Sequence, residues 1–254
     1  MKNKFLIIIV ILSQLFLVGK LFSQEIDIKA TDIEFSNDQN LTIANNATAI
    51  IKKDGIVIRG KKIEYSKDKS FLLIKSGKIF TDNNNFEINS DIIEYKIDES
   101  NINLKENVKV KDNINNLIMV SNEINYNLKE RKIVSQNPSE ISDEFNNIYK
   151  VDGFEYSIIN RIIKLDNLVA LDKDENSFLV DLSYLDLNKK ELIAKDISME
   201  FKLIENSENE PRLKGRSLIS NERNTIIKKG TFTFCKKREK CPPWEMSADE
   251  IRHD

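Results

Sequence analysis

The stretch Phe86–Val110, FEINSDIIEYKIDESNINLKENVKV, predicts two β-strands joined by a polar turn. Apolar residues keep a two-residue period at Phe86 and Ile88 and again at Ile93, Tyr95 and Ile97, and the alternation resumes after the polar run 98–101. A two-residue period places the apolar side chains on one face of a strand. Isoleucine, valine, phenylalanine and tyrosine also favour a pleated, half-buried surface. The stretch is therefore the unit of a nearly all-β fold.

Copies of this unit recur along the chain, each marked by an apolar residue two positions before an aromatic one. The aromatic members are 30, 30, 31, 30 and 28 residues apart. Such a period indicates a copied supersecondary unit that buries its apolar face by stacking on its neighbours, so we expect one elongated core. The pairs are Ile33/Phe35, Ile63/Tyr65, Ile93/Tyr95, Ile124/Tyr126, Phe154/Tyr156 and Leu182/Tyr184.

The charges are nearly balanced, which argues against a nucleic-acid partner. Charged residues make up 31% of the chain, with 39 Lys and Arg against 41 Asp and Glu, and they are scattered through every repeat. This pattern is typical of the solvated outer face of a one-sided sheet. A nucleic-acid-binding surface needs a basic stripe instead.

Residues 1–23 have the pattern of an export signal. Two lysines precede an apolar run from Phe5 to Val18, and the small residue Ser23 closes the segment. The uninterrupted run is short for the roughly 20 residues that span a bilayer. We expect a signal peptide over 1–23 and one β-domain over 24–254; the alternative is that the segment is retained as a single membrane anchor. Both place the repeats outside the cytoplasm.

The chain offers little for catalysis. His253 is its sole histidine, so a multi-histidine metal site is excluded and a His-based triad would rest on the penultimate residue. The seven glycines include no phosphate-binding loop pattern. Carboxylate pairs such as Asp91 and Glu94 fit a strand surface better than an acid–base couple. We expect a protein that is not an enzyme and that binds no cofactor and no metal.

The two cysteines, Cys235 and Cys241, lie in a tail that differs from the repeats. In an exported protein they predict either a local disulfide or two bridges to partners elsewhere. Basic side chains crowd the same tail, which favours a solvated loop or a contact with phosphorylated headgroups.

The tail also carries a recognisable combination of motifs. GTFTFC at 230–235, PPW at 242–244, Ala248 and IRHD at 251–254 resemble the end of the periplasmic domain of LptD, the outer-membrane lipopolysaccharide-assembly protein. The preceding repeats resemble the OstA-like β-jellyroll that LptD shares with the periplasmic bridge protein of the same pathway. This resemblance implies an elongated β-jellyroll of folded-over antiparallel sheets, built from strand-pair repeats of about 30 residues.

The resemblance also implies a function and partners. A groove between the sheets would bind the acyl chains of lipopolysaccharide at the periplasmic face of the outer membrane and pass them toward a transmembrane barrel with its plug lipoprotein. The bridge protein would dock on an edge strand, for which the candidate is Ile26 to Phe35. A cysteine at the position of Cys235 would bond to the barrel. Two features depart from the family: the barrel is absent from this chain, and Cys241 is extra while the usual N-terminal cysteine is missing.

The candidate lipid-binding residues are the apolar and aromatic members of the repeats, and ordinary core packing is the alternative at each position. Acyl chains would gain on the order of 0.8 kcal/mol for each buried methylene, without directional bonds. Two other functions remain open: a free-standing or membrane-anchored bridge protein of the same pathway, and a β-solenoid scaffold that binds no lipid. The candidate residues are Ile33, Phe35, Ile63, Tyr65, Ile93, Tyr95, Ile124, Tyr126, Phe154 and Tyr156.

Overall fold

A computed structural model describes residues 26–81, 85–144, 147–171, 176–202, 211–221, 223–235 and 244–253. The expected signal segment 1–23 and Cys241 lie outside these residues. The described chain is all β and contains no helix. Its strands are β1 (Ile26–Lys29), β2 (Asp32–Phe35), β3 (Leu41–Ile51), β4 (Ile56–Ser66), β5 (Phe71–Thr81), β6 (Phe86–Lys96), β7 (Asn101–Asp112), β8 (Leu117–Asn127), β9 (Lys132–Ser135), β10 (Ser139–Ser142), β11 (Ile148–Val151), β12 (Gly153–Ser157), β13 (Ile162–Leu171), β14 (Ser177–Asp186), β15 (Glu191–Glu200), β16 (Arg212–Ser220), β17 (Thr225–Thr233) and β18 (Met246–His253).

The strands form one antiparallel sheet in which each long strand pairs with the next along the chain. β9 and β10 both pair with β8, and β11 and β12 both pair with β13, so each couple is one long strand with a break in its middle. The predicted first strand, Ile26 to Phe35, is likewise two strands, because β1 and β2 both pair with β3 around a break at 30–31. The expected all-β, elongated jellyroll is confirmed.

The sheet is folded over on itself. The β3–β4 turn and the β6–β7 turn lie at opposite ends of their strands, which a flat sheet of 11-residue strands would hold roughly 35 Å apart. Instead the two turns touch. Lys53 donates from its Nζ to the carbonyl of Ile97 at 3.2 Å, and the Ser100 hydroxyl donates to the Asp54 carboxylate at 2.8 Å. Each long strand therefore contributes one half to each of two facing layers.

The fold-over occurs at irregularities in the middle of the strands. The register between β6 and β7 shifts between Asn89 and Ile92, where β7 has one residue more than β6, and the buried positions of β6 change from Phe86 and Ile88 to Ile93 and beyond. An extra residue of this kind bends a strand and keeps the same face inward on both sides of the bend. Non-glycine residues with positive φ mark the same place in other strands: Asn46, Ser76, Asn107, Asn167, Asp196 and Lys229.

Two glycines allow the bend to close tightly. Gly60 on β4 and Gly77 on β5 are register partners. A Cβ atom on Gly60 would lie 2.4 Å from Ile74 Cγ2, and one on Gly77 would lie 2.6 Å from Ile93 Cδ1. The isoleucines of the core therefore pack directly on the backbone at this corner.

The buried apolar side chains form one cluster that extends from Ala44 to Ile227. Opposite charges pair across neighbouring strands on the outer face, as in Lys78–Glu87 at 2.7 Å and Lys105–Glu94 at 2.9 Å. The outer face is therefore solvated and mixed in sign, in agreement with the charge pattern of the sequence.

Candidate functional site

The repeat tyrosines lie in one row across the inner face. Tyr65, Tyr95, Tyr126 and Tyr156 occupy β4, β6, β8 and β12, every second long strand of the sheet. Aliphatic residues fill the strands between them, and each is a register partner of its neighbours in the row: Leu72, Ile102 and Ile133. Successive tyrosines are therefore about 30 residues apart, because the chain needs that length to run along two long strands and reach the row again.

Two of these tyrosines join the two layers through carboxylates. The Tyr95 hydroxyl donates to Asp54 in the β3–β4 turn, and the Tyr156 hydroxyl donates to Asp112 at the end of β7 at 2.7 Å. Asn115 donates to the Tyr156 oxygen at 3.0 Å. We call the line along which one layer's turns meet the other layer's strand ends the seam. The tyrosine–aspartate bonds hold the seam closed at these two points.

The environment of these hydroxyls keeps them protonated. Burial raises the pKa of Tyr95, and the hydrogen bond to Asp54 and the charge of that carboxylate raise it further. The same three causes, with Asp112 as the partner, raise the pKa of Tyr156. A neutral phenol is the form that can donate to a carboxylate. The bonds are therefore stable far above neutral pH.

Eight of the ten candidate lipid-binding residues lie in the buried core. They are Ile63, Tyr65, Ile93, Tyr95, Ile124, Tyr126, Phe154 and Tyr156. They face inward, as the alternation predicts, while their contact with lipid stays a prediction. Ile33 and Phe35 differ, because they lie on edge strand β2 and are 39% and 65% exposed.

The last copy of the repeat departs from the others. Tyr184 is exposed and does not lie in the inner row, although the apolar-x-aromatic spacing suggests that it should. Its neighbour Leu185 takes the place of the next tyrosine, between Ile163 on β13 and Leu192 on β15. The spacing of 28 residues, rather than 30 or 31, is the signal of this shift in the sequence.

An apolar cavity of about 260 Å³ lies between the two layers beyond this point. It lies within the part of the core formed by β11 and β13–β16, and it is open to one side. Its volume is near the lower end of the roughly 300–1,000 Å³ of small-ligand pockets, which suits one aliphatic chain. Sequence reasoning missed these residues, although alternation along β14 and β15 marks several of them. The lining includes Tyr149, Leu168, Phe178, Val180, Leu192 and Met199.

A more polar cleft of about 560 Å³ adjoins this cavity, and the two share Asn147 and Tyr149. Asp143 and Leu185 are also among its lining residues. The Tyr149 hydroxyl donates to Asp143 at 3.1 Å, and burial, with the charge of Asp143, raises the pKa of Tyr149 to about 12. Together the two spaces can hold an amphiphile with its chain inside and its polar part at the seam.

The tail forms a hairpin. β17 pairs with β18, with Phe232 opposite Met246, and the Thr233 hydroxyl donates to the carbonyl of Trp244 at 2.8 Å. Arg212 donates to the carbonyl of Cys235 at 2.8 Å, which ties the tail to β16. Cys235 is partly buried, and its bond to Cys241 or to a partner stays a prediction because Cys241 is outside the described residues.

The residues that the structure describes contain no group of three or more His, Cys, Asp or Glu side chains placed to hold a metal ion. No helix within the described ranges has the length and apolar character needed to cross a membrane.

The chain matches the model of a protein family and is similar to solved structures. The family described as "Lipopolysaccharide-assembly, LptC-related" matches residues 5–170, which is more than half of the 254 residues. LptH, the LptA-homologous periplasmic component of the lipopolysaccharide transport device of Pseudomonas aeruginosa, is 13% identical over 43% of this chain and 80% of its own, with a TM-score of 0.39. No curated protein sequence matches the chain.

We expect Tyr95→Phe and Tyr156→Phe to weaken the fold and to change its response to alkali. At neutral pH each loses a hydrogen bond to a charged group, about 1.5–3 kcal/mol. A tyrosine whose pKa in the folded state lies above the unfolded value of 10.0 stabilises the fold in full below pH 10. This stabilisation is lost as the pH rises from 10 toward the pKa of the folded state. Above pH 10 each wild-type tyrosine therefore adds up to ~1.4 kcal/mol per pH unit to the fall in the free energy of unfolding. Each variant removes that contribution, so its free energy of unfolding falls less steeply. Urea unfolding from pH 7 to pH 11 measures both effects.

Tyr184→Phe is the matched control, because it removes the same hydroxyl from an exposed ring. Its unfolding free energy should stay within about 0.5 kcal/mol of wild type. If the free energy of unfolding of Tyr95→Phe fell with rising pH as steeply as that of this control, the assignment of the hydrogen bond to Asp54 would be wrong.

Proposed function

Because the chain belongs to the lipopolysaccharide-assembly, LptC-related family, we propose that the open part of its interior is where it receives the acyl chains of lipopolysaccharide. The function is lipopolysaccharide transport by a periplasmic β-jellyroll component of the bridge, and transport of this kind is not enzymatic.

One observation supports the position of the lipid path: the interior is packed in one half and open in the other. From β3 to β12 the inner row is closed by buried tyrosines, two of them bonded to aspartates across the seam. Along β13–β16 the inner face stays apolar while a cavity and a cleft lead to it from outside. Burial of apolar chains there is favourable and non-directional, so a lipid can slide without breaking specific bonds.

The fully buried tyrosines can contact lipid only when the two layers separate. Tyr95 and Tyr156 have no solvent access in the closed form. We propose that lipid first occupies the open half and that the other candidate residues contact it only during passage along the chain. Phe178 and Leu192 are then the first contacts.

The docking surface that we propose for a neighbouring bridge protein is the edge formed by β1 and β2. Within the described residues these strands pair with β3 only, so their outer side has free backbone groups. Ile33 and Phe35 expose apolar surface on the same edge. Addition of a partner's strand would satisfy the backbone and cover both side chains.

For the N-terminal segment we favour a retained membrane anchor over a cleaved signal. The family match begins at residue 5 and includes the apolar run Phe5–Val18, which supports a segment that remains part of the protein. The domain over 24–254 would then lie in the periplasm beside the membrane that holds the anchor.

The second candidate is the periplasmic domain of LptD at the outer membrane, with its barrel and plug lipoprotein as partners. The tail motif supports it, since GTFTFC at 230–235 pairs with the strand that ends in IRH at 251–253. These residues lie beyond the span that the LptC-related family matches. In this case Cys235 would exchange to the barrel.

The lipid path predicts which positions capture lipopolysaccharide. A photo-crosslinker at Phe178 or Leu192 should label lipopolysaccharide in cells, because both side chains line the cavity. The same group at Tyr184 or Ile193 should not, although both positions are exposed and apolar, because they lie on the outer face. Equal labelling of inner and outer positions would remove the internal path, and weaker labelling at Tyr95 or Tyr126 is expected from the contact that we propose during passage.

The double variant Ile33→Asp/Phe35→Asp tests the docking of a bridge protein on the edge formed by β1 and β2. Charge on the strand edge should weaken binding of a periplasmic jellyroll bridge protein at least roughly tenfold, because two apolar side chains lose their cover. Ile159→Asp is the control, since its side chain is 64% exposed on a turn away from this edge. Titration calorimetry on the soluble domain provides the measurement, and unchanged binding would place the docking surface elsewhere.

The cysteines separate the two candidate functions. Under oxidising conditions we expect a Cys235–Cys241 disulfide in this chain, because the spacing allows a small loop. Non-reducing peptide mapping of protein isolated from its own cell detects it. A mixed disulfide of Cys235 with a barrel protein would favour the second candidate function, the periplasmic domain of LptD. Free thiols in the oxidised domain would rule out the Cys235–Cys241 disulfide.

A further inference from the structure

The carboxylates that hold the seam closed repeat along the chain like the tyrosines. Asp54, Asp112 and Asp143 each lie at a turn that leaves the same edge of the sheet. Tyr95 follows Asp54 by 41 residues, and Tyr156 follows Asp112 by 44. Leu185 follows Asp143 at a separation between these two values. The pair Asp143 and Leu185 is thus the next member of the series.

At this member the tyrosine is missing, and the seam is open. Leu185 continues the inner row through its register with Ile163 and Leu192. It has no hydroxyl to donate, and the cleft of about 560 Å³ lies between it and Asp143. Asp143 instead accepts from Tyr149 and Asn147 of its own hairpin, at 3.1 and 2.8 Å.

We propose that the tyrosine–aspartate pairs are latches, and that the loss of the latch at Leu185 creates a lateral opening through which an acyl chain enters between the β10–β11 hairpin and β14–β15. This inference rests on the proposed function for the identity of the ligand. The opening itself follows from the geometry of the seam. The ligand class is an amphiphile whose single hydrocarbon chain fits the adjoining apolar cavity.

Physical reasons connect the missing hydroxyl to the opening. A buried hydrogen bond from a phenol to a carboxylate is stronger than one between neutral groups. Its loss shifts an equilibrium between closed and open seam by roughly tenfold or more. The β10–β11 hairpin is the part that can move, because it is joined to the sheet by only four register pairs with β8 and two with β13.

The test restores the missing latch. Leu185→Tyr places a hydroxyl opposite Asp143, and Leu185→Phe adds the same ring without the hydroxyl. Spin labels at Glu144 and Lys189, with both native cysteines replaced by serine in the full chain, report the distance across the opening. We expect Leu185→Tyr to shorten and narrow this distance distribution and to reduce photo-capture of purified lipopolysaccharide at Phe178 roughly tenfold. Leu185→Phe should retain the wild-type distance and capture, and Asp143→Ala should reverse the effect of Leu185→Tyr.

Each other outcome has a distinct meaning. An unchanged distance in Leu185→Tyr would overturn the latch, whatever the lipid does. Equal loss of capture in Leu185→Tyr and Leu185→Phe would assign the effect to volume and overturn the role of the hydroxyl. A shortened distance with unchanged capture would overturn the opening as the entry route. Absence of capture in the unmodified protein at every inner position would overturn the proposed function, while the distances would still decide on the latch.

Discussion

The bend in the middle of every long strand is the constraint on which the rest of the structure depends. A single sheet with one apolar face can bury that face only against another layer. This chain uses its own sheet as that layer, because mid-strand irregularities, marked by a positive φ at positions such as Asn46, Ser76 and Asp196 and by an extra residue in β7, fold the strands over. The irregularity also changes which sequence positions face inward, from Ile88 to Ile93 in β6, so that the core remains continuous across the corner. Layers, core and seam all follow from this one irregularity.

The fold-over also creates the seam, since it brings opposite ends of the strands together. Polar turns arrive there beside the ends of apolar strands, and their backbone and carboxylate groups need partners. Tyrosine meets both needs, because its ring packs in the core and its hydroxyl reaches the turn. For Tyr95 and Tyr156 this explains why the repeated aromatic residue is tyrosine, where phenylalanine would fill the same space. The position of the hydroxyl, rather than the ring, determines where the two layers are joined.

Sequence alone predicted the all-β class, the repeated unit and the inward direction of Tyr95, Tyr126 and Tyr156, because a two-residue alternation and a fixed period follow directly from strand geometry. It did not predict the mid-strand bends, although the five-residue step from Ile88 to Ile93 breaks the two-residue period and is the sequence signal of the bend in β6. It therefore misassigned Tyr184, whose place in the inner row Leu185 takes. The seam was not predictable either, because the partners of Tyr95 and Tyr156 lie more than 40 residues away. The cavity residues Phe178 and Leu192 were missed because they carry no aromatic repeat signal.

Small side chains lie beside the inner row in the open half. Ser183 on β14 and Ala194 on β15 are register partners, and both are buried beside the inner row. In the closed half the corresponding inner positions hold isoleucine, as Ile93 and Ile124 do. The Ser183 hydroxyl is buried without a hydrogen-bond partner among the described residues, a cost that a well-packed core avoids. Neither residue of this pair lines the cavity, whose walls include Phe178 and Met199, and the missing phenol at Leu185 leaves the adjoining cleft open. The cavity and the cleft together form a space that the chain itself does not fill. A transport protein that releases its lipid gains from such a space, because a cavity lined by weak, non-directional contacts binds a chain without holding it in one position.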